Sequence, residues 1–223
     1  MMPFFVRAWL CLLVSLVAPL SAAADEWKVG LAKVVITPTE ATWLSGYSSR
    51  TQPAEGKVHE LYAKAVAIEG ADHARLVLIT LDLGSISPHM TERVSELASR
   101  RFALPRGNLV LNCSHTHCAP EVAAERRVFH NLSDAEEAKL AAYVERLIAK
   151  LADLVGAALD DLRPARLAVS KSSASFAFNR RHPSGIDETG VTDRETPVLS
   201  ITDLDGKLRG VLFGYACHNT TAS

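Results

Sequence analysis

The 223-residue sequence lacks an excess of charge of either sign, with 24 Lys and Arg against 25 Asp and Glu and a formal net charge of −1. So balanced a chain has no basic field of the kind nucleic-acid binding needs, and no run of Lys or Arg supplies one locally, which excludes nucleic acid as a partner. It also lacks an apolar run long enough for a membrane span. The stretch Ala8 to Leu20 is about 13 residues, short of the roughly 20 a spanning helix requires. Internal repeats and low-complexity segments are absent, so solenoid and fibrous architectures are not expected. No C-x-x-C pair occurs among the four cysteines.

What is present at the N-terminus is an export signal. Arg7 precedes the apolar run, and Ser21-Ala22-Ala23-Ala24 leads into Asp25 and Glu26, the charged, apolar and small-residue regions of a cleavable signal peptide. The expectation is cleavage near Ala24 and a secreted or periplasmic mature chain, residues 25–223; an uncleaved anchor is the alternative. Cys11 leaves with the signal. Cys113, Cys118 and Cys217 remain, an odd number for an oxidising compartment, so at least one thiol is free or paired outside the chain.

With 48% hydrophobic and 22% charged residues, the chain can bury a core as one domain. Residues 28–38, 62–70 and 75–84 read as strands, the last two as a hairpin around Ala71-Asp72-His73-Ala74. The stretch "LSGYSSRTQPAEGK" has no periodicity and many breakers, and reads as an exposed loop. Ser87-Pro88 opens a helix with the stripe Met90, Val94, Leu97 and Ala98. Ser133 and Glu136 form a capping box for a longer helix running to about Leu159. Arg166 to Phe178 reads as a strand, residues 179–196 as a polar loop, and residues 197–218 as a hairpin turned at Asp205-Gly206. The fold class is α/β, a mixed β-sheet with packed helices.

The chemistry concentrates in "NLVLNCSHTHCAP", residues 108–120. In an extended segment His115 and His117 point to the same side, two imidazoles at the mouth of a sheet. A pair of this kind supplies at most two of the three or more ligands that zinc needs, so by itself it is equally a surface feature. His218 follows a second apolar strand, "VLFGYAC", and strand ends are where α/β sheets place ligand sites. His73, His89 and His130 read as solvated, and His59 as intermediate. A Cys/His zinc site built from Cys113, Cys118 and Cys217 is disfavoured without a C-x-x-C pair. No H-E-x-x-H or G-x-S-x-G occurs, and Ala119 and Pro120 stand where H-x-H-x-D-H would need Asp and His.

Taken together, "VGLAKVVITP", "LSGY", "GKVHELYAKAVAIE", "VLITLDLGSIS", "LVLNCSHTHCAP", "FAFNRRHP" and "VLSITDLDGKLRGVLFGYACHNTT" resemble the N-terminal domain of the neutral/alkaline non-lysosomal ceramidase family, in order and spacing. The resemblance implies the N-terminal part of a larger catalytic domain, an amide hydrolase with one catalytic Zn2+. By matching motifs, His115 and His218 look like zinc ligands, His117 like a histidine beside the scissile amide, and Arg180 like a substrate- or oxyanion-contacting arginine. It also implies a small-molecule amide or lipid substrate, with contact at a membrane surface to reach it. Val35, Cys118, Ala119 and Thr221-Ala222 depart from the family pattern, and the family's remaining glutamate and tyrosine ligands belong to sequence beyond the second histidine. A non-catalytic remnant or binding module, and a metal-dependent hydrolase of another amide or ester, are the alternative readings.

Overall fold

The computed structural model describes residues 27–123, 130, 132–182, 185–187 and 191–220, with backbone alone for residues 180–182 and 185–187. The signal-peptide expectation lies outside the described residues. Strands β1 (Trp27–Val35), β2 (Tyr62–Glu69) and β3 (Arg75–Leu81) form an antiparallel meander. Helix α1 (Pro88–Phe102) then crosses back to β4 (Leu109–Cys113), which pairs parallel with β3. After α2 (Asp134–Asp160) come β5 (Arg163–Ser173), the small hairpin β6 (Asn179–His182) and β7 (Gly185–Asp187), and the hairpin β8 (Glu195–Thr202) and β9 (Leu208–Phe213). The seven-stranded mixed sheet runs β4-β3-β2-β1-β5-β8-β9.

The helices start and stop where their local chemistry dictates. Ser87 caps α1 by accepting from Met90 N, Pro88 takes the first turn where no amide is needed, and Ala103 ends the helix in the left-handed region at φ 53°. At α2, Ser133 and Glu136 satisfy each other's backbone amides in a capping box. The same Glu136 also accepts a 2.7 Å bond from Trp43 Nε1, so the start of α2 is tied to the loop after β1. Both helices cover one face of the sheet. Leu147, Ile148, Leu151 and Val155 of α2 and Met90, Val94 and Ala98 of α1 pack with Ala65, Val77, Ile79 and Leu81 in one core. Each such aliphatic side chain contributes roughly 1.5–3 kcal/mol on burial.

A second, smaller cluster of Val29, Ala165 and Ile201 lies at the junction of β1 with β5. The two strands pair only through Trp27, Lys28 and Val29. Beyond that point Leu31 N turns to Asp161 Oδ2 at 2.9 Å, and Asp161 also holds Arg209 of β9 at 3.0 Å. Gly210 of β9 sits so close to Leu31 of β1 that a Cβ there would stand 3.0 Å from Leu31 Cδ1. Since β1 and β9 are separated by two strands in the sheet order, this contact requires the β5-β8-β9 half to roll back toward β1. Twist and coiling of roughly 20–25° per strand pair, accumulated across the three steps from β1 to β9, supply the rotation. The two edge strands, β4 and β9, thereby send their following segments toward one another.

Several expectations are corrected. The strand expected over Arg166–Phe178 is β5, which starts at Arg163 and ends at Ser173 because it continues directly from α2. The expected polar loop contains β6 and β7; strands of four and three residues are too short to show a period-2 alternation in the sequence. The stretch "LSGYSSRTQPAEGK" is not wholly exposed, since Ser45 is buried, as are Thr42 and Trp43 just before it. His130 is not solvated: it is buried against the Trp43 ring at 5.2 Å, and burial, with Arg50 as a lesser cause, lowers its pKa. The last strand ends at Phe213, so His218 stands on a non-strand segment rather than at a strand end.

Candidate metal centre

His115, His117 and His218 come together, with one ligand nitrogen from each lying within 4.8 Å of the others. The route differs from the one the H-x-H pattern suggests. β4 pairs with β3 through Cys113, and Ser114 N still reaches Leu81 O at 2.9 Å. At His115 the backbone turns into the left-handed region, φ 57°, a conformation costing roughly 1–2 kcal/mol in a non-glycine residue. The imidazoles meet through this turn and not through the pleat of an extended strand.

The turn is held by the loop after β3. His115 Nδ1 lies 2.5 Å from Gly84 O. A carbonyl accepts only, so Nδ1 carries the proton and Nε2 is left with its lone pair, the state a metal ligand requires. Gly84 is close-packed on its other side: a Cβ there would stand 1.9 Å from Ser45 Oγ and 3.1 Å from Thr116 O.

His117 is the buried member, 6% exposed. Beneath its ring lies Gly46, at φ +103°. The Tyr47 ring meets His117 edge-on at 4.7 Å. Arg50 donates to His117 O at 2.8 Å and to Ser45 O at 2.5 Å, and its guanidinium lies 4.9 Å from the centre of the Tyr47 ring. Two further backbone bonds, Ser45 N to Ala119 O at 2.8 Å and Glu121 N to Trp43 O at 2.9 Å, join this loop to the histidine turn.

His218 arrives from the opposite edge of the sheet. Its Nε2 lies 3.0 Å from His117 Nε2, and its ring stacks on His115 at 4.9 Å. Without a metal, one of the two Nε2 atoms donates a proton and the other accepts it. His117 therefore stands beside the ring nitrogen that His218 would offer a metal, and the Nδ1-directed bond of His115 to Gly84 O leaves its Nε2 facing the cluster as a ligand would. Asn219 Nδ2 donates to Ser114 O at 2.6 Å and locks the His218 segment against the turn.

The thiols Cys113, Cys118 and Cys217 are half-buried, and none joins the ligand cluster among the described residues. The backbone of Arg180 lies in β6; its side chain lies outside the described residues. Residues overlooked by motif reasoning are Gly46, Tyr47, Arg50, Gly84 and Asn219. Only the "SGY" triplet offered a signal, as a glycine next to an aromatic residue in a breaker-rich loop.

Comparison with known proteins decides the lineage. The family model for the N-terminal part of neutral/alkaline non-lysosomal ceramidases matches residues 27–223. The chain belongs to that family. Neutral ceramidase from Pseudomonas aeruginosa is 28% identical over 224 aligned positions, covering 95% of this chain and 33% of that protein. The crystal structure of the Pseudomonas aeruginosa neutral ceramidase superposes with a TM-score of 0.70 at 27% identity, over 87% of this chain and 32% of that one. A ceramidase complexed with C2 gives 0.71 at 27% identity, over 87% and 31%. The chain thus spans about a third of the length of these ceramidases.

Proposed function

We propose that this chain is the N-terminal part of a secreted, zinc-dependent amide hydrolase that cleaves N-acyl sphingoid lipids of the ceramide class into a sphingoid base and a fatty acid. The observation that carries the proposal is the 3.0 Å approach of His218 to His117, residues 101 positions apart in the chain, beside the proton-directed His115. Membership of the ceramidase family supports the substrate class.

In this reading His115 and His218 hold the zinc. When bound, zinc lowers the pKa of a water ligand toward neutrality and polarises the amide carbonyl. His115 is kept in the ligating tautomer by Gly84 O. His117, buried and backed by Tyr47, stands beside the amide and moves a proton to the departing nitrogen or stabilises the oxyanion. Arg180 supplies the cationic donor to the substrate. In the same reading a membrane surface delivers the lipid, and the signal-like pattern of residues 1–24 supports export from the cytoplasm.

The test is release of sphingosine from a short-chain N-acyl-sphingosine. It is measured for the zinc-loaded chain and for a chimera in which residues 25–223 replace the matching third of Pseudomonas aeruginosa neutral ceramidase. The proposal expects turnover in the chimera that disappears with His115→Ala. A folded, zinc-loaded chimera that hydrolyses other N-acyl amides but not N-acyl-sphingosine would overturn the substrate assignment. One that binds zinc and hydrolyses nothing would favour a binding module.

A further inference from the structure

The segment bearing His218 has little to hold it. Past Phe213 the ladder ends, and Gly214 N to Pro197 O at 3.2 Å is the last bond to β8. Tyr215 anchors the near side, its hydroxyl donating to Ala174 O at 3.1 Å and accepting from Ala177 N at 3.0 Å. His218 itself is exposed. An exposed, unladdered residue keeps its rotational freedom unless side chains take it away, yet His218 is aimed at His117. On the far side two contacts do this: Asn219 to Ser114 O, and Tyr47, whose hydroxyl donates to Thr220 O at 3.1 Å.

Tyr47 is the residue that touches both histidine-bearing segments. Its ring edge meets His117 while its hydroxyl reaches past His218 to Thr220. Arg50 completes the arrangement from beneath: its guanidinium rests on the Tyr47 ring, and its two donated bonds close the backbone of Ser45 onto that of His117. A flat guanidinium suits this double task, donating in its plane and stacking through its face; an ammonium cannot do both. Three pieces of chain, the loop after β1, the turn after β4 and the segment after β9, are thereby joined at one point.

We infer that Tyr47 and Arg50 form a clasp that positions His117 and His218 against each other, so that the metal centre is assembled before any metal arrives. Its consequence for metal binding rests on the proposed zinc site, whereas the clasp itself is a property of the metal-free protein. Both are positioning residues: neither supplies a ligand atom to the histidine cluster. Outer residues of this kind typically carry about 10- to 100-fold of metal affinity.

The experiment compares the unmodified chain with Tyr47→Phe, Arg50→Ala and Arg50→Lys, using three readouts. The first is imidazole 15N NMR of the metal-free protein, where His117 and His218 should appear as one protonated and one bare Nε2. The second is Co2+ affinity from its visible absorption band, and the third is melting temperature. Tyr47→Phe keeps the ring and removes the bond to Thr220 O. It is expected to melt as the unmodified chain does, to lose the paired imidazole signature, and to bind Co2+ about 10- to 100-fold more weakly. Arg50→Ala should do the same with some loss of melting temperature, and Arg50→Lys should restore stability better than it restores the imidazole pair.

The clasp is overturned if Tyr47→Phe and Arg50→Ala retain the paired signature. It is equally overturned if affinity falls only in step with melting temperature. Should the unmodified chain bind no Co2+, the zinc reading fails while the imidazole signature in the variants still decides the clasp.

Discussion

Gly46 lies directly beneath the His117 imidazole: a Cβ on Gly46 would stand 2.3 Å from His117 Cγ and 2.4 Å from Nδ1. The backbone there is at φ +103° as well, so a side chain is opposed twice, by the ring above and by its own torsion. Gly46→Ala is expected to destabilise the fold by about 1–3 kcal/mol and to weaken metal binding by displacing His117. Chemical denaturation and a Co2+ titration check this; an unchanged midpoint with unchanged affinity would show that the loop yields freely.

Metal content follows from the ligand set. Two imidazole ligands, His115 and His218, with no carboxylate in the cluster among the described residues, should bind zinc more weakly than a closed four-ligand site. In the chimera one equivalent is expected, and His115→Ala or His218→Ala should remove it. Elemental analysis after dialysis is the measurement, and full zinc content in both variants would place the ligands elsewhere.

His117 and Arg180 separate chemistry from metal retention. His117→Ala and Arg180→Ala in the chimera should keep zinc while lowering turnover about 100- to 1000-fold, as loss of one oxyanion donor does, roughly 2.7–4 kcal/mol. Loss of zinc in His117→Ala would make it a third ligand. Full activity in both variants would remove them from the reaction.

Acid should loosen the start of α2. Bonds from the Ser133 backbone first, then from Trp43 and the Ser133 hydroxyl, hold the Glu136 carboxyl down to about 2. Its pKa is depressed in the folded state, so its contribution is fully present above the unfolded-state pKa of about 4.3 and is lost as pH falls from there toward 2. Glu136→Ala should therefore lower the melting temperature at pH 6 and make progressively less difference below pH 4. A pH-independent difference would contradict this origin.

Export predicts a processed N-terminus. Protein recovered from the extracytoplasmic fraction of an expressing bacterium should begin at or near Asp25. Intact mass reads this directly, and a retained Met1 would contradict the secreted assignment.

The sequence by itself determined what depends on neighbours along the chain. The caps Ser87 and Ser133, the apolar stripes of α1 and α2, the β2–β3 hairpin and the β8–β9 hairpin all follow from local propensity and periodicity. The three histidines that cluster, His115, His117 and His218, could also be singled out, because they sit in segments resembling one family.

How those histidines meet was not legible. An H-x-H read as strand puts its rings together through the pleat, whereas His115 departs from the strand at φ 57°, driven by contacts with Gly84 and its packing on Ser45. His218 reaches the site on a segment that follows β9, whose Gly210 is curled back against Leu31 of β1 beyond the three-pair junction of β1 with β5. Sheet roll is a sum of small twists over many strands, and no single segment encodes it. His130 likewise looked solvated until Trp43, distant in sequence, covered it. Tyr47 lay in the family-like "LSGY" and Arg50 in no motif, and neither position disclosed its task, because a positioning residue is defined by what it touches across the fold, and those contacts exist only once the loop after β1 has closed over the histidine turn.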